Sequence, residues 1–249
     1  EKWGRNSSKP TGAVRQALGQ AGEIDSETAA LAYEHSLPAD TFPEEVLACL
    51  PPTPWTIPES ERSKRRSLQQ TRIFSIDPPT ARDLDDALHI TTLPGGKGWE
   101  IGVHIADVSH FIPPWSALDE EARSRSTSTY LCQKVIPMLP RLLCEELCSL
   151  NPGVERFAFS VIWTLDSNAK IVSTWMGRSI IESCVKLDYG TAQVMIDSEG
   201  AANEGPLEWG VEGRELHGVH TWQQVADDVR QLHKVGQMLR GERFEDGSL

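Results

Sequence analysis

The sequence predicts a mixed α+β fold in which a partly antiparallel sheet is flanked by helices. Two hairpin patterns predict the sheet: ALHITTL and WEIGVHIADV are joined by Pro-Gly-Gly-Lys-Gly, and RFAFSVIWTLD and AKIVSTWMGRSII are joined through Ser167-Asn168. The third observation is the helical spacing of apolar residues in the segments between and after these hairpins. No internal repeat is visible.

The sequence predicts that the first seventy residues lie outside the main domain. Residues 1–24 are largely polar, and KPTGAVRQALG indicates a turn and a short strand, as in the tail of a preceding domain. Residues 25–35 predict a short helix with Asp25 or Ser26 as N-cap, and a second helix is expected near residues 44–50. SERSKRRSLQQ is expected to form a polar helix. Residues 25–70 are therefore interpreted as the connector and residues 71–249 as the main domain.

Short strands and helices alternate after the connector. RIFSI is the first predicted strand, and SALDEEARSRSTSTYL, PRLLCEELCSL and LDYGTAQVMIDSEG have helical spacing. The segment GAANEGPLEWGVEGRE is expected to be a mobile surface loop. TWQQVADDVRQLHKVGQMLRGERF predicts a long amphipathic helix. Its apolar stripe consists of Val225, Val229, Leu232, Val235 and Leu239.

Charge and composition limit the classes of protein that fit. The net charge of −12 is opposite to that of a free-standing nucleic-acid binder, so a polyanion would have to be held locally. Basic residues are grouped near residues 62–66 and 123–141, although solvated helix faces also explain both groups. The five cysteines predict free thiols. Neither a signal core nor a run of about eighteen apolar residues is visible, so a soluble intracellular protein is expected.

The stretch IDPPTARDLDD crowds four aspartates beside apolar segments. Asp77 precedes Pro78, so the chain must leave the strand as a loop, and Asp83 and Asp85 share a face in extended backbone. A loop that folds back would bring Asp77 to Asp83, Asp85 and Asp86, and such a group needs protons or hard cations. The spacing does not fit an EF-hand. Two interpretations stay open: a one- or two-magnesium site for phosphodiester cleavage, and a solvated acidic loop.

Five segments in a fixed order carry a family resemblance. They are FSIDPPTARDLDDALHI, IGVHIADVSHFI, RSTSTYLCQKVIPMLPRLLCEELCSLNP, FAFSVIWTLD and SCVKLDYGTAQVMI. Together they resemble the ribonuclease II (RNB) family of processive 3′→5′ exoribonucleases, from residue 9 to the end of the chain and most densely over residues 55–197. PWTIPESERSKRR and FSVIWTL are similar to the cytoplasmic, exosome-independent branch that degrades oligouridylated RNA.

The resemblance implies roles for six residues. The carboxylates that hold magnesium, or manganese in its place, and act in catalysis correspond to Asp77, Asp83, Asp85 and Asp86. Tyr130 in TSTYL and Tyr189 in KLDYGTA correspond to aromatic residues that bind bases near the RNA 3′ end. Stacking on an aromatic face holds any base, which suits stepwise degradation. Without the resemblance, a core ring with a hydrogen-bonded hydroxyl would be the favoured explanation of each tyrosine.

The resemblance also implies how the chain relates to the whole domain. Residues 1–24 would be the tail of a cold-shock (OB) barrel, and residues 71–249 the amino-terminal part of the RNB catalytic domain. The family places an arginine that steadies the scissile phosphate in the second half of this domain. The chain is expected to stop before that half.

The resulting prediction is a magnesium-dependent 3′→5′ exoribonuclease. It would degrade single-stranded, U-rich RNA from 3′ ends to nucleoside 5′-monophosphates in mRNA decay. We expect a cytoplasmic monomer without membrane or stable exosome association. The alternative is a truncated, catalytically incompetent fragment that acts only as a metal- or RNA-binding or interaction module.

Overall fold

The described part of the chain contains eight strands and six α-helices. The structure is a computed structural model, and it describes residues 8, 12–200, 204–245 and 247. The strands are β1 (Arg66–Ser67), β2 (Ile73–Asp77), β3 (Asp86–Thr92), β4 (Gly98–Ala106), β5 (Thr129–Tyr130), β6 (Val135–Ile136), β7 (Glu155–Asp166) and β8 (Ile171–Asp188). The helices are α1 (Ile24–Glu34), α2 (Glu44–Leu47), α3 (Glu59–Arg62), α4 (Ala117–Arg125), α5 (Tyr189–Asp197) and α6 (Trp222–Glu245). Short 3₁₀ turns are formed by Pro94–Gly96 and Val108–His110, and a π-helical turn by Leu142–Leu147.

The long strand β8 organises the main sheet. Six strands are hydrogen-bonded in the order β1-β8-β2-β3-β4-β7, and β7 also pairs with β8. Strand β8 runs antiparallel to β7 from Ile171 to Glu182 and then parallel to β2 from Ser183 to Asp188. The two predicted hairpins, β3–β4 and β7–β8, are both antiparallel. The predicted mixed, partly antiparallel sheet is therefore confirmed.

Helices pack on both faces of this sheet. Ile73 and Phe74 are neighbours in β2 but belong to different apolar clusters, because successive strand residues point to opposite faces. The cluster that contains Ile73 includes residues of α2, α4 and the π-helical turn, namely Val46, Leu118 and Leu143. The cluster that contains Phe74 includes residues of α5 and α6, namely Met195, Val225 and Val229. No helix in the described ranges is both long enough and apolar enough to cross a membrane.

The connector contains less helix than the sequence predicts. SERSKRRSLQQ is helical only within α3, and Arg66–Ser67 instead forms β1, which pairs in parallel with Ser179 and Ile180 of β8. Sheet pairing prevails because Leu68 is buried and its N–H donates to the carbonyl oxygen of Ile180 at 2.9 Å. The strand predicted in KPTGAVRQALG is absent over residues 12–19, the part of that segment that the structure describes.

Two helix ends also differ from the prediction. Helix α4 ends at Arg125, because Ser126 adopts a positive φ of 63°. The following TSTYL segment is therefore not helical and instead supplies β5, which pairs with β6. Helix α1 begins at Ile24, and neither Asp25 nor Ser26 acts as its N-cap.

The segment GAANEGPLEWGVEGRE forms turns and is mostly exposed over its described residues 200 and 204–215, but two of its apolar side chains are buried. Trp209 and Val211 are buried in the cluster that contains Phe74, and Trp209 Nε1 donates to Ser198 Oγ at 2.9 Å. The polar composition of the segment therefore predicted its surface position but not the burial of these two apolar residues. A buried tryptophan removes a large apolar area from water and can anchor an otherwise polar segment.

A bidentate ion pair fastens α6 to the sheet. Arg72, directly before β2, donates through Nε and Nη2 to the two carboxylate oxygens of Asp228 at 2.6 and 2.8 Å. Asp228 is buried, as are Val225 and Val229 of the predicted apolar stripe. A buried carboxylate is costly without a partner, so this pair fixes where α6 lies on the sheet.

A second buried ion pair connects the connector to the end of β4. Arg65 Nη1 lies 2.7 Å from Asp107 Oδ2, and both side chains are buried. The Arg65 guanidinium also lies 3.8 Å from the centre of the Phe157 ring. Arg65 belongs to one of the two basic groups in the sequence, and for this residue the solvated-face interpretation is wrong.

A hydrogen-bonded chain of polar side chains lies inside the sheet. His89 Nδ1 is 2.8 Å from His104 Nε2, His104 Nδ1 is 2.6 Å from Ser160 Oγ, and Ser160 Oγ is 2.6 Å from Ser179 Oγ. The imidazoles fit because Gly102 lacks a side chain: a Cβ there would lie 2.2 Å from His89 Cε1. Burial lowers the pKa of His89, and burial together with the neighbouring His89 lowers the pKa of His104 to about 3.

We expect Arg72→Met to lower the free energy of unfolding by about 3 to 5 kcal/mol, because the buried Asp228 carboxylate loses its partner. Guanidinium chloride titration followed by circular dichroism measures this change. The matched control is Arg123→Met, which removes an exposed arginine 3.7 Å from Asp119 and should cost no more than about 0.5 kcal/mol. Equal losses in the two variants would contradict a special role for the Arg72–Asp228 pair.

The buried imidazoles should make stability depend on pH below neutrality. The unfolded chain binds a proton on His104 near pH 6.5, whereas the folded chain binds it only near pH 3. Stability should therefore fall by up to about 1.4 kcal/mol per pH unit as the pH decreases between these values. Urea unfolding at pH 6.5 and 4.5 should show a shallower loss for His104→Gln than for the wild type. An unchanged slope in His104→Gln, or an equal flattening in the exposed control His35→Gln, would refute this assignment.

Candidate active site

The aspartate-rich loop lies between two paired strands. Asp77 is the last residue of β2 and Asp86 is the first residue of β3, so residues 78–85 form the connection. Pro78 and Pro79 begin it, and they stop further pairing because proline lacks a backbone donor. The N–H of Ala81 then donates to the carbonyl oxygen of Pro78 at 3.0 Å, which closes a turn. The loop therefore begins and ends at adjacent points of the sheet.

Buried contacts fix the second half of the loop. Leu84 is fully buried between the aspartates at 83 and 85, and its N–H donates to Ser149 Oγ at 3.0 Å. Ser149 Oγ in turn donates to the carbonyl oxygen of Arg82 at 2.8 Å. The N–H of Leu150 donates to the carbonyl oxygen of Leu84 at 2.9 Å. The backbone of Asp85 is tied to the N–H of Ala106 at 2.9 Å. Leu84 thus anchors the loop and leaves its neighbouring carboxylates outside the core.

The first aspartate has a carboxylate oxygen that lacks a partner. Asp77 Oδ2 is buried and has no hydrogen bond of normal geometry to any described residue. Burial raises the pKa of Asp77, and the charges of Asp86 and Asp83 raise it further, whereas the Ser75 hydroxyl and the Lys186 ammonium lower it. An unpartnered buried oxygen of this kind favours a proton or a cation.

The charges of the four predicted carboxylates influence one another in the structure. Partial burial raises the pKa of Asp85, and the charges of Asp83, Asp86 and Asp77 each raise it further. The loop connects neighbouring strands, and Asp77 is among the charges that act on Asp85. The group carries like charges that repel one another, which is the condition under which oxygen ligands take up a hard divalent cation.

The two predicted tyrosines lie at different edges of this loop. Tyr130 in β5 donates its hydroxyl to Asp83 Oδ2 at 2.8 Å, which raises the pKa of Tyr130 to about 12, and its side chain remains 65% exposed. Tyr189 is the first residue of α5 and is 62% exposed. It follows Asp188, which pairs with Asp77 in the β2–β8 register. Neither tyrosine is a core ring.

A helix cap holds Tyr189 in place. Asp188 Oδ1 accepts from the N–H of Thr191 at 2.8 Å, and Asp188 Oδ2 accepts from the Thr191 hydroxyl at 2.8 Å. Arg214 Nη1 lies 3.2 Å from Asp188 Oδ2, and these contacts lower the pKa of Asp188. The carboxylate of Asp188 is therefore committed to starting α5, unlike that of Asp77 beside it.

A small cavity opens beside Asp83 that sequence reasoning did not find. Its volume is roughly 180 Å³, and its lining includes Arg82, Asp83, Ser128, Arg141, Cys144 and Glu145. Arg141 Nη1 donates to Glu145 Oε1 at 2.5 Å, and Arg82 Nη1 lies 3.8 Å from Glu145 Oε2. Arg141 was visible in the sequence only as a member of a basic group. The cavity combines positive and negative charge next to the carboxylates, which would suit a polar ligand.

The carboxylates of the loop are ligands of the type that magnesium binds, although their side chains do not converge on one metal position. Carboxylate oxygens are the ligands that Mg²⁺ prefers, and the unpartnered Asp77 oxygen provides an open position. Within the described residues, no three carboxylate, imidazole or thiol groups form a ready-made metal site. Metal binding at Asp77, Asp83, Asp85 and Asp86 therefore stays a prediction.

Comparisons with known proteins identify related chains. A model of the RNB domain matches residues 65–249, and a model of the Dis3-like cold-shock domain 2 (CSD2) matches residues 1–36. The chain is 50% identical to DIS3-like exonuclease 2 of Xenopus tropicalis over 251 aligned residues, 99% of this chain and 29% of that protein. It is 43% identical to "Inactive exonuclease DIS3L2" of Arabidopsis thaliana over 249 residues, 99% of this chain and 23% of that protein.

A solved structure shares the fold. RNase R of Mycoplasma genitalium, in complex with ribose methylated single-stranded RNA, gives a TM-score of 0.76 at 24% identity, over 93% of this chain and 33% of that chain. The chain spans less than a third of the length of the two curated relatives, from Xenopus tropicalis and Arabidopsis thaliana. The RNB match includes the aspartate loop, both tyrosines and every strand of the main sheet. The chain therefore belongs to the RNB family, in the branch of DIS3-like exonuclease 2.

Proposed function

We propose that the chain carries the metal-binding carboxylates of a magnesium-dependent 3′→5′ exoribonuclease site. The observation that supports this most directly is the loop at residues 77–86, where the charges of four carboxylates act on one another and Asp77 Oδ2 has no hydrogen-bond partner among the described residues. A merely solvated acidic loop would have no need of the buried anchor Leu84. Family membership supports the same conclusion.

The residues of this chain would position the cation and the RNA end. Asp77, Asp83, Asp85 and Asp86 would hold Mg²⁺, with Mn²⁺ as a substitute. When bound, the metal would activate water and offset charge on the phosphate during hydrolysis to nucleoside 5′-monophosphates. The Tyr130 hydroxyl bound to Asp83 would keep that carboxylate oriented.

Tyr130 and Tyr189 would hold the bases next to the carboxylates. Both rings are largely exposed, and each is tied near the loop, one through Asp83 and the other through the β2–β8 register. Exposed aromatic faces stack on bases without selecting among them. A single strand could therefore advance by one nucleotide after each cleavage.

The finer parts of this proposal come from the motif resemblance. The segments PWTIPESERSKRR and FSVIWTL support U-rich, oligouridylated 3′ ends in mRNA decay as substrates. They also support a cytoplasmic monomer that acts without stable exosome association.

A second candidate is a catalytically incompetent module that binds metal or RNA without turnover. One relative at 43% identity is named an inactive exonuclease, and the net charge of −12 disfavours nucleic acid. The first candidate requires both metal binding and hydrolysis, whereas the second excludes hydrolysis and does not require metal, so each property needs its own measurement.

Metal binding should raise thermal stability. Mg²⁺ or Mn²⁺ at one hundred times its dissociation constant would add about 2.7 kcal/mol to the folded state. Differential scanning fluorimetry of the 249-residue chain should show this shift, and Asp85→Asn should reduce it. The matched control Asp166→Asn alters an exposed turn far along the sheet and should keep the full shift. Equal shifts in the wild type and in Asp85→Asn would count against the metal site.

Hydrolysis should depend on Asp86. The decisive protein is the Xenopus relative with its matching segment replaced by this chain, because the chimera supplies the rest of that protein. With Mg²⁺ it should release nucleoside 5′-monophosphates from the 3′ end of an oligouridylated RNA, and Asp86→Asn should slow release about a hundredfold or more. Product analysis by chromatography measures both. A folded chimera that binds RNA but releases no nucleotide would support the incompetent module instead.

A further inference from the structure

We propose that Lys186 is a positioning residue that clamps the aspartate loop onto β8 and so preorganises its carboxylates for a divalent cation. This inference rests on the proposed metal-dependent function and adds a residue to it. Lys186 lies in β8 opposite Ser75 of β2, one strand away from the start of the loop. It contributes no oxygen ligand, so any positioning effect must pass through the loop.

The geometry of the clamp is specific. Lys186 Nζ donates to the carbonyl oxygen of Pro79 at 3.3 Å and to that of Ala81 at 2.5 Å. Two of the three ammonium donors are therefore directed at the backbone of one turn. Charge-assisted hydrogen bonds of this kind are about twice as strong as those between neutral groups.

The first half of the loop depends on this contact. Residues 78–80 are exposed, and the two prolines offer no N–H through which other parts of the protein could hold them. The second half is already fixed through Ser149, Leu150 and Ala106. Lys186 supplies the matching restraint between Asp77 and Asp83, so both ends of the carboxylate group are held.

The positive charge has a second effect, which opposes the first. The Lys186 ammonium near Asp77 offsets repulsion among the carboxylates while the site holds no cation. The same charge repels an incoming cation. A role in positioning and a role in charge alone therefore predict opposite results when the charge is removed: weaker cation binding in the first case and tighter binding in the second.

The test uses Mn²⁺ binding to the 249-residue chain by isothermal titration calorimetry. Lys186→Met should weaken Mn²⁺ binding about tenfold, within the range found when an outer partner of a metal ligand is removed. Lys186→Arg, which keeps the donors and the charge, should restore the affinity to within about threefold of the wild type. The control Lys97→Met removes an exposed lysine from the β3–β4 turn and should leave binding unchanged.

Hydrogen–deuterium exchange adds a readout without metal. The amides of residues 81–84 should exchange faster in Lys186→Met, whereas those of the β7–β8 hairpin should not change. If Lys186→Met does not fold, Lys186→Gln provides the same comparison, because its shorter amide cannot reach both carbonyl oxygens.

The outcomes separate the two proposals. A wild-type chain that binds no Mn²⁺ would overturn the proposed function and this inference with it. A wild-type chain that binds Mn²⁺ through Asp85, together with unchanged or tighter binding in Lys186→Met, would overturn the positioning role alone. Weaker binding with faster exchange in the loop, rescued by Lys186→Arg, would support it.

Discussion

Mutual repulsion among four carboxylates on one short loop is the constraint on which the arrangement of the site depends. A pair of like charges 4 Å apart costs about 1 kcal/mol in water and about 4 kcal/mol near a protein surface. The fold does not remove the charges. Instead it ties the backbone between them: Leu84 enters the core, Ser149 bonds the loop from one side and Lys186 from the other. A loop held in this way keeps its carboxylates together until a cation or a proton compensates them.

Strand β8 links this loop to the rest of the candidate site. It pairs with β7 over its first part and with β2 over its last part, so one continuous backbone spans the sheet. Its final residues provide Lys186, which contacts the loop, and Asp188, which caps the helix that begins with Tyr189. The spacing between the Tyr189 ring and the carboxylates is thereby set by strand register, which is stiffer than a loop. Stepwise degradation would benefit from a fixed distance of this kind.

Several arginines of the chain are occupied inside the protein. Arg65 and Arg72 form buried ion pairs that fasten the connector and α6, and Arg230 bonds Glu204 at 2.6 Å. Arg125 is buried and donates to backbone carbonyls of the connector. Such pairs define one arrangement of elements because breaking them leaves a buried charge. The charges of these particular arginines are therefore matched within the protein rather than offered to a polyanion.

The sequence by itself determined the sheet class, both hairpins, helix α6 and the family, because these depend on local periodicity and on long ordered motifs. It also indicated a loop directly after Asp77, since the proline that follows this residue cannot continue the strand pairing. The tertiary structure decided the contacts between segments, which local sequence patterns do not predict. Arg65 and Trp209 lie in polar segments yet are buried. Arg65 forms an ion pair with Asp107, and Trp209 donates a hydrogen bond to Ser198. Strand β1 replaces a predicted helix because β8 offers free backbone partners. The clamp by Lys186 joins residues more than a hundred positions apart, and only the parallel pairing of β2 with β8 brings them within reach.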